Sequence, residues 1–240
     1  MMSCCEKYVG MNIIERTDLH NRTSVFRDRQ HGGEVVGQMM QEYLQAPAIV
    51  LAIPAGGVPV ATQIAKRLGL PLDVAVVSKI TLPWNTEVGY GAVAFDGTAR
   101  LNNELVERLS LTDQQVKEGI LETAKKVRRR NILFRGDQPL PSLSDRAAIL
   151  VDDGLASGFT MHVAVEALLK ASSTQVVVAV PTGPSHTVRR IAADVSRIYC
   201  ANIRSGMSFA VADAYEYWSD VTEQEALEAL GHLEPWRTES

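Results

Sequence analysis

A chain of 240 residues is long enough for one sizeable hydrophobic core and short for two, since domains usually run to roughly 100–200 residues. Its 46% hydrophobic and 22% charged residues exclude collagen-like, disordered and disulfide-scaffold classes. The formal net charge of −4 lacks the basic surplus of proteins that work on nucleic-acid backbones, so no nucleic acid is expected as the main partner.

At the start of the chain Glu6, Lys7, Glu15, Arg16 and Asp18 interrupt every apolar run, so no signal-peptide core is expected. The cysteines, Cys4, Cys5 and Cys200, are sparse and lack C-x-x-C spacing, which suits a reducing, cytoplasmic compartment. Val35, Val36, Met39, Met40, Tyr43 and Leu44 form a first apolar stripe at helical spacing. Residues 48–53 then read as a buried strand. Pro54, Ala55, Gly56 and Gly57 turn it into a second helical stripe of Val58, Val60, Ala61, Ile64, Ala65 and Leu68, ended by Gly69 and Pro71. The prolines and glycines between 46 and 65 suit a strand and a turn, not a membrane helix. Residues 72–77 give a second buried strand.

From 78 to 146 the rhythm breaks. Lys79, Pro83, Glu87, Tyr90 and Gly91 lie in a polar stretch, and residues 92–101, with Asp96-Gly97 at their centre, read as an exposed hairpin. Thr112 with Gln115 resembles a capping box that opens a long helix over about 113–134. Lys125, Lys126, Arg128, Arg129 and Arg130 crowd its last turns, where cations suit the dipole; a solvated face is preferred to a binding patch. After a Pro- and Ser-rich linker come a strand at 147–151, a helical stripe of Met161, Val165, Leu168 and Leu169, and a strand at 175–180. A short helix around Val188, Ile191 and Ala192, a strand at 196–201 and a last helix near 223–230 follow. This alternation implies an α/β fold: a single-domain open parallel sheet with flanking helices over residues 1–240. Its core spans about 27–203, with an insertion at about 78–146 and a small C-terminal hood at about 204–240. The histidines, His20, His31, His162, His186 and His232, show no metal-ligand spacing.

Residues 147–161 read AAILVDDGLASGFTM. An apolar strand ends in two adjacent carboxylates, Asp152 and Asp153, and a loop of small residues leads into a helix. In an open parallel sheet ligands sit beyond the carboxyl ends of the strands. Small residues let backbone N–H groups approach an anion, a helix start adds unpaired donors, and Ser157 and Thr160 carry hydroxyls. Leu155, Ala156, Ser157, Gly158, Phe159 and Thr160 therefore form a candidate phosphate cradle. The acids would repel a phosphate, so they are expected to face sugar hydroxyls and a nearby divalent metal. The loop matches neither G-x-x-x-x-G-K-[ST], nor G-x-G-x-x-G, nor G-x-S-x-G.

This segment resembles the phosphoribosyl pyrophosphate (PRPP) signature of type I phosphoribosyltransferases: apolar strand, two acids, two variable residues, a small residue, Ser, Gly, one variable residue, Thr. The resemblance extends over about residues 27–225 and is closest to a less characterised branch. It implies transfer of the 5-phosphoribosyl group of PRPP to a nitrogenous base, with release of pyrophosphate. It gives Asp152 and Asp153 the ribose hydroxyls, and the 155–160 loop the 5′-phosphate. Ala55, Gly56 and Gly57 fall where the family has a short pyrophosphate-binding loop, often with a strained peptide bond; the glycines would supply conformational freedom. The branch in question carries arginine where this chain has Ala55. The family places a mobile loop over PRPP in the insertion. Lys79 there is a candidate for pyrophosphate charge or a plain surface lysine, and Glu87 is an acid–base candidate or a solvated loop glutamate. Hypoxanthine–guanine members have aspartate at the position of Ala156, and adenine-type members have alanine. Phe209, Tyr215 and Trp218 could stack on an acceptor or merely close a hood. Mg²⁺ is the implied cofactor, held mainly by PRPP with Asp152 and Asp153 as protein contributors. PRPP and a small base are the implied partners, without membrane, and a homo-oligomer is compatible. The alternative is a PRPP- or nucleotide-binding regulatory protein without turnover.

Overall fold

The structure is a computed structural model. It describes residues 12–231 except 137, 172, 174 and 207, with the backbone alone at 86 and 87. Cys4, Cys5, Glu6, Lys7 and His232 lie outside the described residues.

Uncharged, β-branched runs have no reason to face water on either side, and here they stack into one parallel sheet. Its strands are β1 (Ile13–Glu15), β2 (Ala48–Ala52), β3 (Leu72–Val74), β7 (Ala147–Val151), β8 (Val176–Pro184) and β9 (Arg197–Arg204). They lie in the order β1-β9-β8-β7-β2-β3, every pair parallel. Side chains alternate between faces with period two. Val50, Ala52, Ile149 and Val151 join α1 (Arg29–Met39) and α2 (Gly57–Leu68) in one core. Ile49, Leu51, Ala148 and Leu150 join α5 (Phe159–Lys170) and α6 (Ser185–Ala192) in the other. The chain is thus the expected α/β fold with helices on both faces of a parallel sheet.

The insertion departs from expectation. The strand expected over 72–77 breaks at Ala75 and Val76. Its first part pairs with β2, and the chain then enters a second, antiparallel sheet of β4 (Val77–Leu82), β5 (Asn85–Ala94) and β6 (Ala99–Leu101). The turn at Asp96-Gly97 forms as expected, with Gly97 at φ 86° and Asp96 accepting from Thr98 N at 2.8 Å. The hairpin is not exposed, however. Ala92 and Ala94 are buried among the apolar residues of the α5 side, and Tyr90 is 1% exposed. Tyr90 lies against Gly119 of α4 (Asp113–Arg135), where any side chain would overlap its hydroxyl. Pattern alone could not show this, because it is α4 and α5 that cover the hairpin.

The capping box of Thr112 and Gln115 is present. The basic run is only partly a solvated face. Arg129 donates to Glu223 of α7 (Glu223–Gly231) at 2.7 Å and Arg130 at 3.0 Å, so the end of α4 seats the last helix. Further departures from the sequence reading are β1, which no pattern had suggested, β8 and β9, which run on past 180 and 201, and a short helix α3 (Asn103–Arg108) before α4. No described helix is long and apolar enough to cross a membrane.

Candidate active site

β7 lies inside the sheet between β2 and β8, so the loops after β2 and β7 emerge side by side. Ile53 N donates to Val151 O at 2.8 Å and locks the two strand ends together. The peptide bond between Pro54 and Ala55 is cis. Gly56 has φ −57°, an ordinary helical value, so the freedom expected of this glycine is not what the turn uses. Space is the reason instead. A Cβ on Gly56 would sit 2.3 Å from Asp153 Oδ2, and one on Gly57 would sit 2.6 Å from the Val151 carbonyl. Both glycines let the 54–57 loop touch the acids.

The acids differ. Asp152 Oδ1 accepts from the Asp153 backbone N–H at 2.9 Å, and among the described residues Oδ2 has no hydrogen-bond partner. Burial, and then the charge of Asp153, push the Asp152 carboxyl well above the usual carboxylate range. Asp153 accepts at Oδ2 from Arg29 Nε at 2.8 Å. Burial raises its carboxyl too, while the charge and hydrogen bond of Arg29 pull it back. A proton is therefore held more readily on Asp152, which lacks a paired cation, than on Asp153. Sequence reasoning missed Arg29, which lies 124 positions from its partner and in no motif.

The 155–160 loop is held from behind. Leu155 is buried, and its N–H donates to Thr182 O at 2.9 Å. The Thr187 hydroxyl donates to the Ala156 carbonyl at 3.0 Å, and the Arg190 guanidinium donates to the Ser157 carbonyl. With these carbonyls tied to α6, the N–H groups of Ala156, Ser157 and Gly158 have no protein partner among the described residues. Gly158 has φ 70°, and a Cβ there would meet Thr187 Cγ2 at 2.4 Å. α5 starts at Phe159, whose N–H is only 3.4 Å from Ser157 Oγ. Free donors, a helix start and adjacent carboxyls thus follow one another at the carboxyl end of β7, with Leu155 as the buried anchor of the loop and not one of its free donors.

The sequence profile of the phosphoribosyl transferase domain matches residues 27–214. The chain belongs to the phosphoribosyl transferase family. Two Mycobacterium tuberculosis proteins, from strains CDC 1551 and H37Rv, each provisionally named a phosphoribosyl transferase, are 32% identical to it over 206 residues. That match covers 86% of this chain and 46% of each relative, so the chain spans about half their length. The crystal structure of TT1426 from Thermus thermophilus is 31% identical, with TM-score 0.64 over 85% of this chain and 97% of that one.

Around these residues stand the other candidates. Lys79, on β4, is exposed and near enough to favour the charged forms of both acids. Its stem passes over Gly89, where a Cβ would meet Lys79 Cδ at 3.3 Å. Glu87 falls in β5, and its side chain lies outside what the structure describes. Tyr215 is 4% exposed and its hydroxyl donates to the Asp153 carbonyl at 2.6 Å, so its ring is taken up by the core. Trp218 is 38% exposed and stacks 3.7 Å above the Arg29 guanidinium. With Pro59 and Tyr217 it lines a cleft of about 650 Å³. Phe209 is half-buried beneath Arg204, 5.3 Å from its guanidinium. Of the three rings, Tyr215 reaches Asp153 directly and Trp218 reaches it through Arg29.

No cluster of three or more His, Cys, Asp or Glu among the described residues could cage a metal. The donor set nonetheless fits an Mg²⁺ that brings most of its shell with it. Asp152 offers Oδ2, and a desolvated carboxyl gains most from a nearby dication.

Proposed function

We propose that this chain transfers the 5-phosphoribosyl group of PRPP to a nitrogen of a small heterocyclic base and releases pyrophosphate, in the cytoplasm. The observation that carries the reading is the 152–160 segment. It sets two carboxyl groups, one of them paired with Arg29, next to three backbone N–H groups without protein partners among the described residues, at the carboxyl end of a strand of the parallel sheet. The N–H groups of Ala156, Ser157 and Gly158, with the start of α5, bind the 5′-phosphate. Asp153, ionised beside Arg29, accepts from the ribose hydroxyls, and Asp152 turns its open oxygen to the same sugar. Ala55, Gly56 and Gly57 present backbone to the pyrophosphate, and Lys79 brings the cation that Ala55 does not.

Charge grows on the sugar ring and on the departing pyrophosphate as the C1–O bond breaks, so the residues act by positioning and by stabilising that charge. Mg²⁺, held by PRPP with Asp152, would add charge neutralisation on the leaving group. No side-chain nucleophile is needed, and Ser157 serves as a donor to phosphate. Trp218, beside its cleft, is the ring best placed to cover the acceptor.

The test is pyrophosphate release from PRPP and Mg²⁺ in the presence of a panel of bases. Release that depends on one base supports the transferase. PRPP binding without release, whatever the base, supports the second reading, a PRPP-binding regulator. That reading is favoured by the absence of a cation at Ala55 and by the engagement of Asp153 with Arg29.

A further inference from the structure

Arg29 opens α1, and its contacts all reach the candidate site or the C-terminal segment. Nε donates to Asp153 Oδ2 at 2.8 Å, Nη1 donates to the Ser219 carbonyl at 2.6 Å, and the guanidinium lies 3.7 Å from the Trp218 ring centroid. Trp218 stacks in turn on Tyr215, with ring centroids 5.1 Å apart, and the Tyr215 hydroxyl donates to the Asp153 carbonyl. Asp153 is therefore held at its side chain and at its backbone by one connected cluster rooted in residues 215–219. The oxygen that Arg29 grips is also the one that lies against Gly56. A continuous series of contacts thus runs from the C-terminal segment through Arg29 and Asp153 to the 54–57 loop.

A carboxylate at a strand end, beside a second carboxylate, would otherwise turn away from its neighbour. A guanidinium fixed by a stack and by a carbonyl has little orientational freedom left, so it can fix the carboxylate in turn. We propose that Arg29 is a positioning residue for Asp153, itself held by Trp218 and Ser219, so that the C-terminal segment sets the aim of the acid that meets the ribose of PRPP. The inference rests on the reading of Asp153 as a PRPP acid. Two features go beyond a plain buried pair. Arg29 grips only Oδ2 of Asp153, which leaves Oδ1 for a ligand. Trp218, which fixes the guanidinium, is itself 38% exposed at the cleft, where a ring used only for core packing has no reason to be. Orientation fixed before binding removes an ordering cost from the ligand's affinity.

Three variants of the full chain test this: Arg29→Gln, Arg29→Lys and Trp218→Leu. In the ligand-free protein, ¹H–¹⁵N spectra report the Arg29 Nε–H directly. Its resonance is expected to be shifted and slow to exchange in the wild type, and to move towards that of free arginine in Trp218→Leu. In isothermal titration with PRPP and Mg²⁺, Arg29→Gln and Trp218→Leu should bind about tenfold more weakly, the worth of a charge-assisted hydrogen bond held in place. Arg29→Lys should recover part of that loss, and inorganic phosphate should bind all three variants as it binds the wild type. Trp218 is partly exposed, so its variant should melt within a few degrees of the wild type and keep the comparison valid if Arg29→Gln folds poorly. Equal PRPP affinity in wild type, Arg29→Gln and Trp218→Leu overturns the positioning role and leaves the proposed function standing. Parallel loss of phosphate affinity also overturns it, because the damage would then be general. A wild type that binds no PRPP overturns both readings.

Discussion

Replacing each acid in turn by asparagine should have opposite effects on stability. Asp153→Asn leaves the Arg29 guanidinium, 9% exposed, without its counter-charge. Breaking a buried pair by removing one partner costs about 3–5 kcal/mol. Asp153 keeps 16% exposure, and the asparagine oxygen can still accept from Nε, so about 2–3 kcal/mol is expected here. For a chain of this size that lowers the melting temperature by roughly 4–12 °C. Asp152 has no cation of its own, and burial and the Asp153 charge hold its carboxyl above its unfolded value. A carboxyl raised on folding favours the native state while protonated. Its contribution is lost as pH climbs from the unfolded carboxylate range, near about 4, through the native value. Asp152→Asn removes that loss, so it should match the wild type at acid pH and be more stable than it near neutrality. Urea unfolding of both variants at pH 4 and pH 7.5 reads the two effects together. Equal destabilisation by both substitutions, or a larger loss for Asp152→Asn, would refute the division of charge between the two acids.

Gly158→Ala should destabilise by about 2–3 kcal/mol, because the residue sits at φ 70° and its Cβ would overlap Thr187 Cγ2. Phosphate binding followed by ³¹P NMR should be lost with it, and a variant as stable as the wild type would contradict that close approach. Lys79→Ala should change stability by less than about 0.5 kcal/mol, because the side chain is exposed, while weakening PRPP about tenfold. Unchanged affinity would remove Lys79 from the site. Glu223→Gln should loosen α7 by about 0.5–1 kcal/mol, since its ion pairs with Arg129 and Arg130 are partly exposed. The Arg129 hydrogen bond holds the Glu223 carboxyl below its ordinary value. The stabilisation is therefore present above the unfolded carboxylate range and disappears as pH falls through the native one. Hydrogen exchange of α7 at pH 7 and pH 3.5 should show a smaller difference from the wild type at the lower pH.

Local chemistry was enough for much of the fold and for the heart of the candidate site. Residues 147–151 had to be a buried strand because no residue in them tolerates water, and the structure has that strand with those bounds. The helix from 113 and its capping box are written within four residues. The two acids, the small residues and Gly158 are contiguous, and so legible as a loop built for an anion. What failed was whatever depended on residues far apart in the chain. The hairpin at 92–101 looked exposed until α4 and α5 closed over it. The basic end of α4 looked solvated until Glu223, 94 positions on from Arg129, came to meet it. Gly56 and Gly57 suggested a turn needing conformational freedom, but the cause is the nearness of Asp153 and Val151, about a hundred residues later.

The sequence by itself therefore determined the parallel α/β frame and the 152–160 loop of acids and small residues, because both rest on periodicity and on neighbours in the chain. Only the tertiary structure decided how each acid is held. A carboxylate's protonation and aim depend on the charges and the solvent around it, and those come from Arg29, Lys79, Tyr215 and Trp218, brought to Asp152 and Asp153 from separate parts of the chain.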